Sequence, residues 1–249
     1  MSELEYANVA RSVVDDVITS QMEAVLAAAQ LMAASIRDGG VVQAYGTGHS
    51  RIVALELAAR AGGLASVGML SVKDLVMFGG VDPTSILDPT YEREPGLAAR
   101  IYELARPQPT DLFVIASNSG INAAIVEMAS LVKANGHPLV AITSMSHTRG
   151  VASRDDSGRR LADLADVGID NRAPRGDATI QLDGGQRIGA VSSLTGVLIA
   201  QLLTEATCRA LEEISAPVPV YLSANTPLGD AHNASLYSMY GARIRPIEP

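Results

Sequence analysis

The chain has 249 residues, 47% of them hydrophobic and 18% charged, with a formal net charge of −8. That composition supplies a large core, and the acidic balance excludes a nucleic-acid surface, which needs clustered Lys and Arg. The N-terminus MSELEYANVA lacks a basic segment and apolar run, and the most apolar later stretch, around Gly196 to Leu203, reads as too short to span a bilayer, so a cytoplasmic protein with no membrane partner is expected.

Residues 8–37 place Val9, Val13, Val17, Val25, Ala29, Ala33 and Ile36 at helical spacing before Asp38-Gly39-Gly40, which predicts one or two amphipathic helices with a glycine stop. VVQAY follows as a short buried strand, RIVALELAARAGG as a helix closed by a glycine pair, and LASVGML as a second strand. MFGGVDPTSILDPTYEREPG, with three prolines and three glycines, reads as a long loop of the kind that is functional or disordered. GLAARIYELA is then a helix, DLFVIAS a strand, INAAIVEMASLVKANG a helix, and PLVAITS a strand. RLADLADVGIDN gives a short helix and a strand, and GAVSSLTGVLIAQLLTEATCRALEE a long helix carrying the one cysteine, Cys208. From Ala216 the tail breaks helical periodicity. Strands alternating with helices predict an α/β fold, doubly wound, with a mostly parallel sheet covered on both faces.

In such sheets ligands sit at the carboxyl ends of the strands. Gly46-Thr47-Gly48-His49-Ser50 leaves a strand and opens a helix, so its backbone amides suit an anion. A dinucleotide fingerprint needs a third glycine where Arg51 stands, and the Gly-Lys-Ser/Thr of a triphosphate loop is absent. A tight turn with a serine cap is the plain alternative. A second stretch repeats the pattern: Ser117, Asn118, Ser119, Gly120 and Asn122 follow the strand DLFVIAS and precede a helix. A serine-hydrolase elbow would need glycine at position 117. Two hydroxyl-rich turns at strand ends predict a phosphate monoester held largely by neutral donors.

GTGHS, IASNSGINAAIVEMASLVKANG and VAITS together resemble the sugar isomerase (SIS) domain family, over roughly residues 40–215. The resemblance implies a flavodoxin-like sandwich that binds a phosphosugar, cradled by Gly46 to Ser50 and by Ser117, Asn118, Ser119, Gly120 and Asn122, with no cofactor. It also implies a homodimer, with residues 1–38 as a helical assembly segment, 39–215 as the phosphosugar domain and 216–249 as a tail contributing to the site. SMSHTRG, DNRAPRGDA and GDAHN further resemble a small stand-alone branch that includes an N-acetylglucosamine-6-phosphate dehydratase and proposed phosphosugar isomerases. The expected activity is therefore a lyase acting on a phosphorylated amino sugar, with an aldose–ketose isomerase or a non-catalytic phosphosugar sensor as alternatives.

Removal of the C2 proton of an open-chain aldose phosphate needs a base and an acid with suitable pKa values. Glu56 lies under two turns beyond Ser50 and is the leading base, or else a solvated helix glutamate. Several isomerases of the family carry a glutamate 14 positions after the first motif glycine, where this chain has Arg60. Glu205, in the apolar helix AQLLTEATCRAL, is an expensive charge unless functional or ion-paired. His232 follows Asp230 at a spacing that orients an imidazole, although Asp230 equally suits a helix cap. His49 and His147 lie at the active end, whereas His137 reads as a surface turn residue. Glu92 and Glu94 sit in the proline-rich loop, either closing over substrate or as plain surface charges. No zincin-like histidine pair or carboxylate cluster appears, so no metal is expected.

Overall fold

The computed structural model describes residues 4–88 and 90–247. Two helices, α1 (Glu5–Ser20) and α2 (Met22–Arg37), lead into β1 (Val42–Gly46), α3 (Arg51–Leu57), β2 (Val67–Leu70) and α4 (Val72–Met77). After the proline-rich segment come α5 (Leu97–Ala105), β3 (Leu112–Ala116), α6 (Ala123–Ala134) and β4 (Leu139–Thr143). Then follow α7 (Met145–Arg149), α8 (Leu161–Leu164), β5 (Val167–Asp170), β6 (Ala178–Gln181), β7 (Arg187–Ala190), α9 (Ser192–Glu213) and α10 (Gly229–Tyr240).

Five strands form one parallel sheet in the order β2-β1-β3-β4-β5. β1, β3 and β4 are buried along their whole length, which is why they read as mostly apolar runs without alternation, with Gln43 of β1 bonded to the buried Asp111. Successive side chains alternate between two cores. Val42, Val114 and Ile142 join α2, α3 and α9 on one face, while Tyr45, Phe113 and Ala141 join α5 and α6 on the other. In register, Tyr45 lies beside Ile115 and Val114 beside Val140. The expected doubly wound α/β architecture is what the chain adopts.

Several elements depart from the sequence reading. α3 ends at Leu57, well before the glycine pair, because Gly62 and Gly63 bond instead to Tyr221 in the tail and Ala59 takes a positive φ of 50°. Tertiary pairing overrides local helix propensity there. The Ser71–Asp74 capping box opens α4 between the predicted strand LASVGML and the proline-rich loop, where no element was expected. β6 and β7 form an antiparallel hairpin that no expected element covered, and β7 takes Gly189 and Ala190 from the start of the predicted long helix. The Tyr6 hydroxyl tethers the hairpin to α1 by donating to the Ala190 carbonyl at 2.8 Å. The tail holds a true helix, α10, with Asp230 in its first turn rather than at its cap. α9 is long and apolar enough to cross a membrane by length and composition, correcting the shorter apolar stretch read from sequence. Ile199, Ala200 and Leu203 of α9 are fully buried against the sheet.

Candidate functional site

β1 and β3 are adjacent, and the chain leaves β1 toward β2 but enters β4 on the other side of β3, so the sheet changes winding direction between them. That is the switch point where a crevice opens at the carboxyl ends of the strands. Both polar turns start there.

The first turn folds tightly back on its strand. A Cβ on Gly46 would stand 2.8 Å from the Ser50 carbonyl oxygen and 3.1 Å from that of Ala116, which leaves room for glycine only. Gly48 to Ser50 form a 3-10 turn that runs directly into α3. In the second turn the Ser117 hydroxyl accepts from the Gly120 amide at 3.1 Å, and Gly120 has φ +64°. A Cβ on Gly120 would meet the hydroxyls of Thr143 and Thr148 at 2.9 and 3.1 Å.

The two turns are joined. The Asn118 amide donates to the Ser50 hydroxyl at 3.2 Å, and the Asn118 side chain accepts from Asn171 at 3.0 Å. Its carbonyl receives the Ser144 amide at 3.1 Å. Asn118 thus ties together the loops that follow β1, β4 and β5. Asn122 caps α6 by position without using its side chain, which accepts from Arg154 at 3.2 Å. The Ala123 and Ala124 amides at the start of α6 therefore lack acceptors among the described residues, whereas the Ile125 amide bonds to the Asn122 carbonyl at 3.0 Å. The Arg154 guanidinium lies at that end of the helix, and the Ser119 hydroxyl makes no hydrogen bond among the described residues.

The gap enclosed by Ser50, Ser117, Asn118 and the start of α9 measures only about 10 Å³, and Asp177 already caps that helix through Ser192. A cleft of about 320 Å³ lies on the other side of the first turn, lined by Thr47, Gly48, Arg51, Lys73, Tyr91 and Glu92. The 3-10 turn Tyr91–Arg93 packs against α6 and sets a Glu92 carboxylate oxygen 3.9 Å from where a Gly48 Cβ would stand. Behind it the Tyr45 hydroxyl is buried with no hydrogen-bond partner among the described residues. Burial, then the Glu127 and Glu92 carboxylates, push that phenol well above its ordinary pKa and hold it neutral.

The other expected catalytic residues are not brought to these turns. Glu56 lies against α9, bonded to Arg60 and, at 2.6 Å, to Gln201. Glu205 is exposed on α9, so the burial that made its charge expensive does not exist. His232 donates through Nε2 to the Val220 carbonyl at 2.9 Å, in a segment paired with Leu64 near the start of β2, at the opposite end of the sheet. His137 is buried rather than on a surface turn, held by Tyr102 at 2.9 Å and the Asp111 carbonyl at 3.1 Å. His49 is exposed on the first turn, and His147 accepts from the Gly176 amide at 3.1 Å. The sequence reading missed Arg51, Lys73 and Arg154 as cations near the turns, and the Ser71-x-x-Asp74 box was the signal that would have placed Lys73 on a helix beside the cleft.

A family model described as SIS domain matches residues 5–144, more than half of the chain and both polar turns. The chain belongs to the SIS domain family. As an SIS protein it is 33% identical over 246 residues to UPF0309 protein lmo0025 of Listeria monocytogenes, covering 97% of this chain and 98% of that one. Its fold is that of phosphosugar isomerases. Phosphoheptose isomerase GmhA from Neisseria gonorrhoeae superposes with a TM-score of 0.53 at 16% identity, covering 80% of this SIS chain and 93% of its own. A phosphoheptose isomerase from Francisella tularensis gives 0.52 at 14%, covering 81% and 94%.

Proposed function

We propose that this SIS protein is a phosphosugar lyase that dehydrates N-acetylglucosamine 6-phosphate. The observation that carries the phosphate part is the Ser50–Asn118 hydrogen bond, which makes one rigid cradle of two turns at the switch point. In this reading the phosphate sits on the free amides of α6, with Ser119 and Arg154 beside it, and the first turn positions the sugar. The sugar occupies the 320 Å³ cleft, whose lining of Arg51, Ser71, Lys73, Asp88 and Glu92 offers both donors and acceptors to sugar hydroxyls.

Glu92 takes the role expected of Glu56, because it is the carboxylate that faces the first turn while Glu56 is neutralised by Arg60. Removal of the C2 proton by Glu92 forms an enol conjugated through C1, and departure of the C3 hydroxyl as water gives a 2,3-unsaturated aldehyde. The tail supports the site at its rim, where Pro246 and Ile247 share a hollow with Arg51, Ser71 and Lys73. Exposed Ile18 and Leu26 on α1 and α2 suit pairing of two copies through those helices, which light scattering of Leu26→Glu against the parent chain tests.

Incubation of the purified protein with N-acetylglucosamine 6-phosphate should produce new ultraviolet absorbance from the conjugated product. A flat trace at high enzyme concentration refutes dehydration. The likeness in fold to two phosphoheptose isomerases favours a second reading, aldose–ketose isomerisation, which deuterium exchange at C2 with a ketose product and no loss of water would select.

A further inference from the structure

We infer that the chain carries a second anion site, lined by none of the residues of the two polar turns, for a small organic acid with one phosphate or carboxylate group on an apolar body. A cavity of about 510 Å³ lies between the end of α5, the strand β2 and the tail at 241–246, a volume typical of small-molecule sites. Gln108 and Arg106 in its wall lead into β3, and Gly68 to Leu70 run to the end of β2, so the cavity lies along the outer, β2 edge of the sheet. The candidate site lies over the carboxyl ends of β1 and β3.

Three arginines, Arg106, Arg243 and Arg245, line this cavity, and among the described residues no carboxylate does. Asp111 and Asp74 lie outside its wall and answer two of them, Arg243 at 2.5 Å and Arg245 at 3.8 Å. Arg106 has no carboxylate partner among the described residues and stands exposed. The wall therefore keeps one uncompensated positive charge in a chain whose net charge is −8. Met69, Leu70, Phe78 and Ile244 supply the apolar side, with the Arg245 guanidinium 5.3 Å above the Phe78 ring.

Arg106 itself occupies the left-handed region, φ 51° and ψ 55°, at the cap that ends α5. Glycine or asparagine is the usual choice there, since a Cβ disfavours that conformation. A cation closing a helix is favourable against the dipole, but any arginine in the last turn would provide that without backbone strain. The strained position is the one that brings an arginine to the wall of the same cavity as Arg243 and Arg245.

Calorimetric titration with phenyl phosphate tests the site in the full chain. The parent protein should bind at two places, and Ser50→Ala with Ser119→Ala should retain one of them. Adding Arg106→Glu to that pair should weaken the remaining event by at least about tenfold, the size of one lost charge-assisted hydrogen bond. Arg106→Lys should keep it. Unchanged or only slightly weakened binding in the Arg106→Glu protein overturns the inference, as does loss of all binding in the two-serine variant. Arg106→Gln is read in the same way if the glutamate variant does not fold. Failure of the lyase reading would show separately, as absent turnover in the parent protein.

Discussion

The Ser50 hydroxyl accepts the backbone amide of Asn118 at 3.2 Å, across 68 residues of sequence. Because Asn118 is also held by Asn171 and Ser144, a single serine fixes the distance between a cradle for the headgroup and a turn for the sugar. Ser50→Ala should therefore weaken N-acetylglucosamine 6-phosphate binding by roughly tenfold, while the free protein loses only about 1 kcal/mol for one partly buried amide. Thermal shift with and without the sugar phosphate separates the two effects. Equal losses in both conditions would make Ser50 merely structural.

Glu92 and the three carboxylate and imidazole candidates make opposite predictions. Glu92→Gln should lower kcat by about 10²- to 10⁴-fold with little change in KM, as removal of a general base does. Glu205→Gln and His232→Gln, both exposed and away from the cleft, should change kcat less than about twofold, far below that catalytic range. Glu56→Gln keeps a partner for Gln201 but breaks the pair with Arg60, and its effect should fall on the melting midpoint rather than on kcat. Steady-state kinetics on the four variants decides between them.

Tyr45 gives a test by pH. Its phenol keeps its proton in the folded chain beyond the ordinary value of 10.0, whereas the unfolded chain releases it there. The folded state then binds more protons than the unfolded one, so stability is complete below about pH 10 and falls as pH rises above it. Tyr45→Phe should flatten that decline. It should also raise the melting midpoint at neutral pH by about 2–4 °C, the equivalent of roughly 1 kcal/mol, because it removes an unpartnered buried hydroxyl. Thermal melts between pH 7 and pH 11 measure both.

Asp111 is fully buried and receives the amides of Val41 and Gln108, the Gln43 side chain and Arg243 at 2.5 Å. Arg243→Ala leaves a buried carboxylate without its cation, a loss of about 3–5 kcal/mol. The melting midpoint should fall by at least about 6 °C. Arg243→Ala combined with Asp111→Asn should recover part of it. No recovery would mean that the arginine acts through packing alone.

The sheet was legible because β1, β3 and β4 are buried on both faces and each is a short, mostly apolar run ending at a polar turn. The cradle was legible because Gly46 and Gly120 admit no side chain and the neighbouring hydroxyls repeat after two strands. Glu205 misled because the helix is apolar on average. Its four-residue spacing from Gln201 and Arg209 marks a polar face, and all three are exposed. His232 could not be placed from sequence, since its position depends on pairing between residues 219–221 and 62–65. β7 is mostly exposed and β6 buries only Ile180, so the hairpin lacks clear alternation, yet Leu182-Asp183-Gly184-Gly185 between them carried its turn signal. Glu92 lay in a segment rich in proline and glycine, where no periodicity says which way a side chain faces.

The partnership of Asp111 with Arg243 spans 132 residues. A ribosome working at about 5–20 residues per second delivers the arginine roughly 7–26 s after the aspartate, so the central strand emerges long before the charge that lets its first end be sealed from water. Until then burying that carboxylate is unfavourable, and the amino end of the strand should remain open to a protease or a chaperone. Ribosome-bound chains halted just before and just after Arg243 has cleared the exit tunnel should differ in cleavage near Gln108, and equal cleavage would argue that the sheet closes without it.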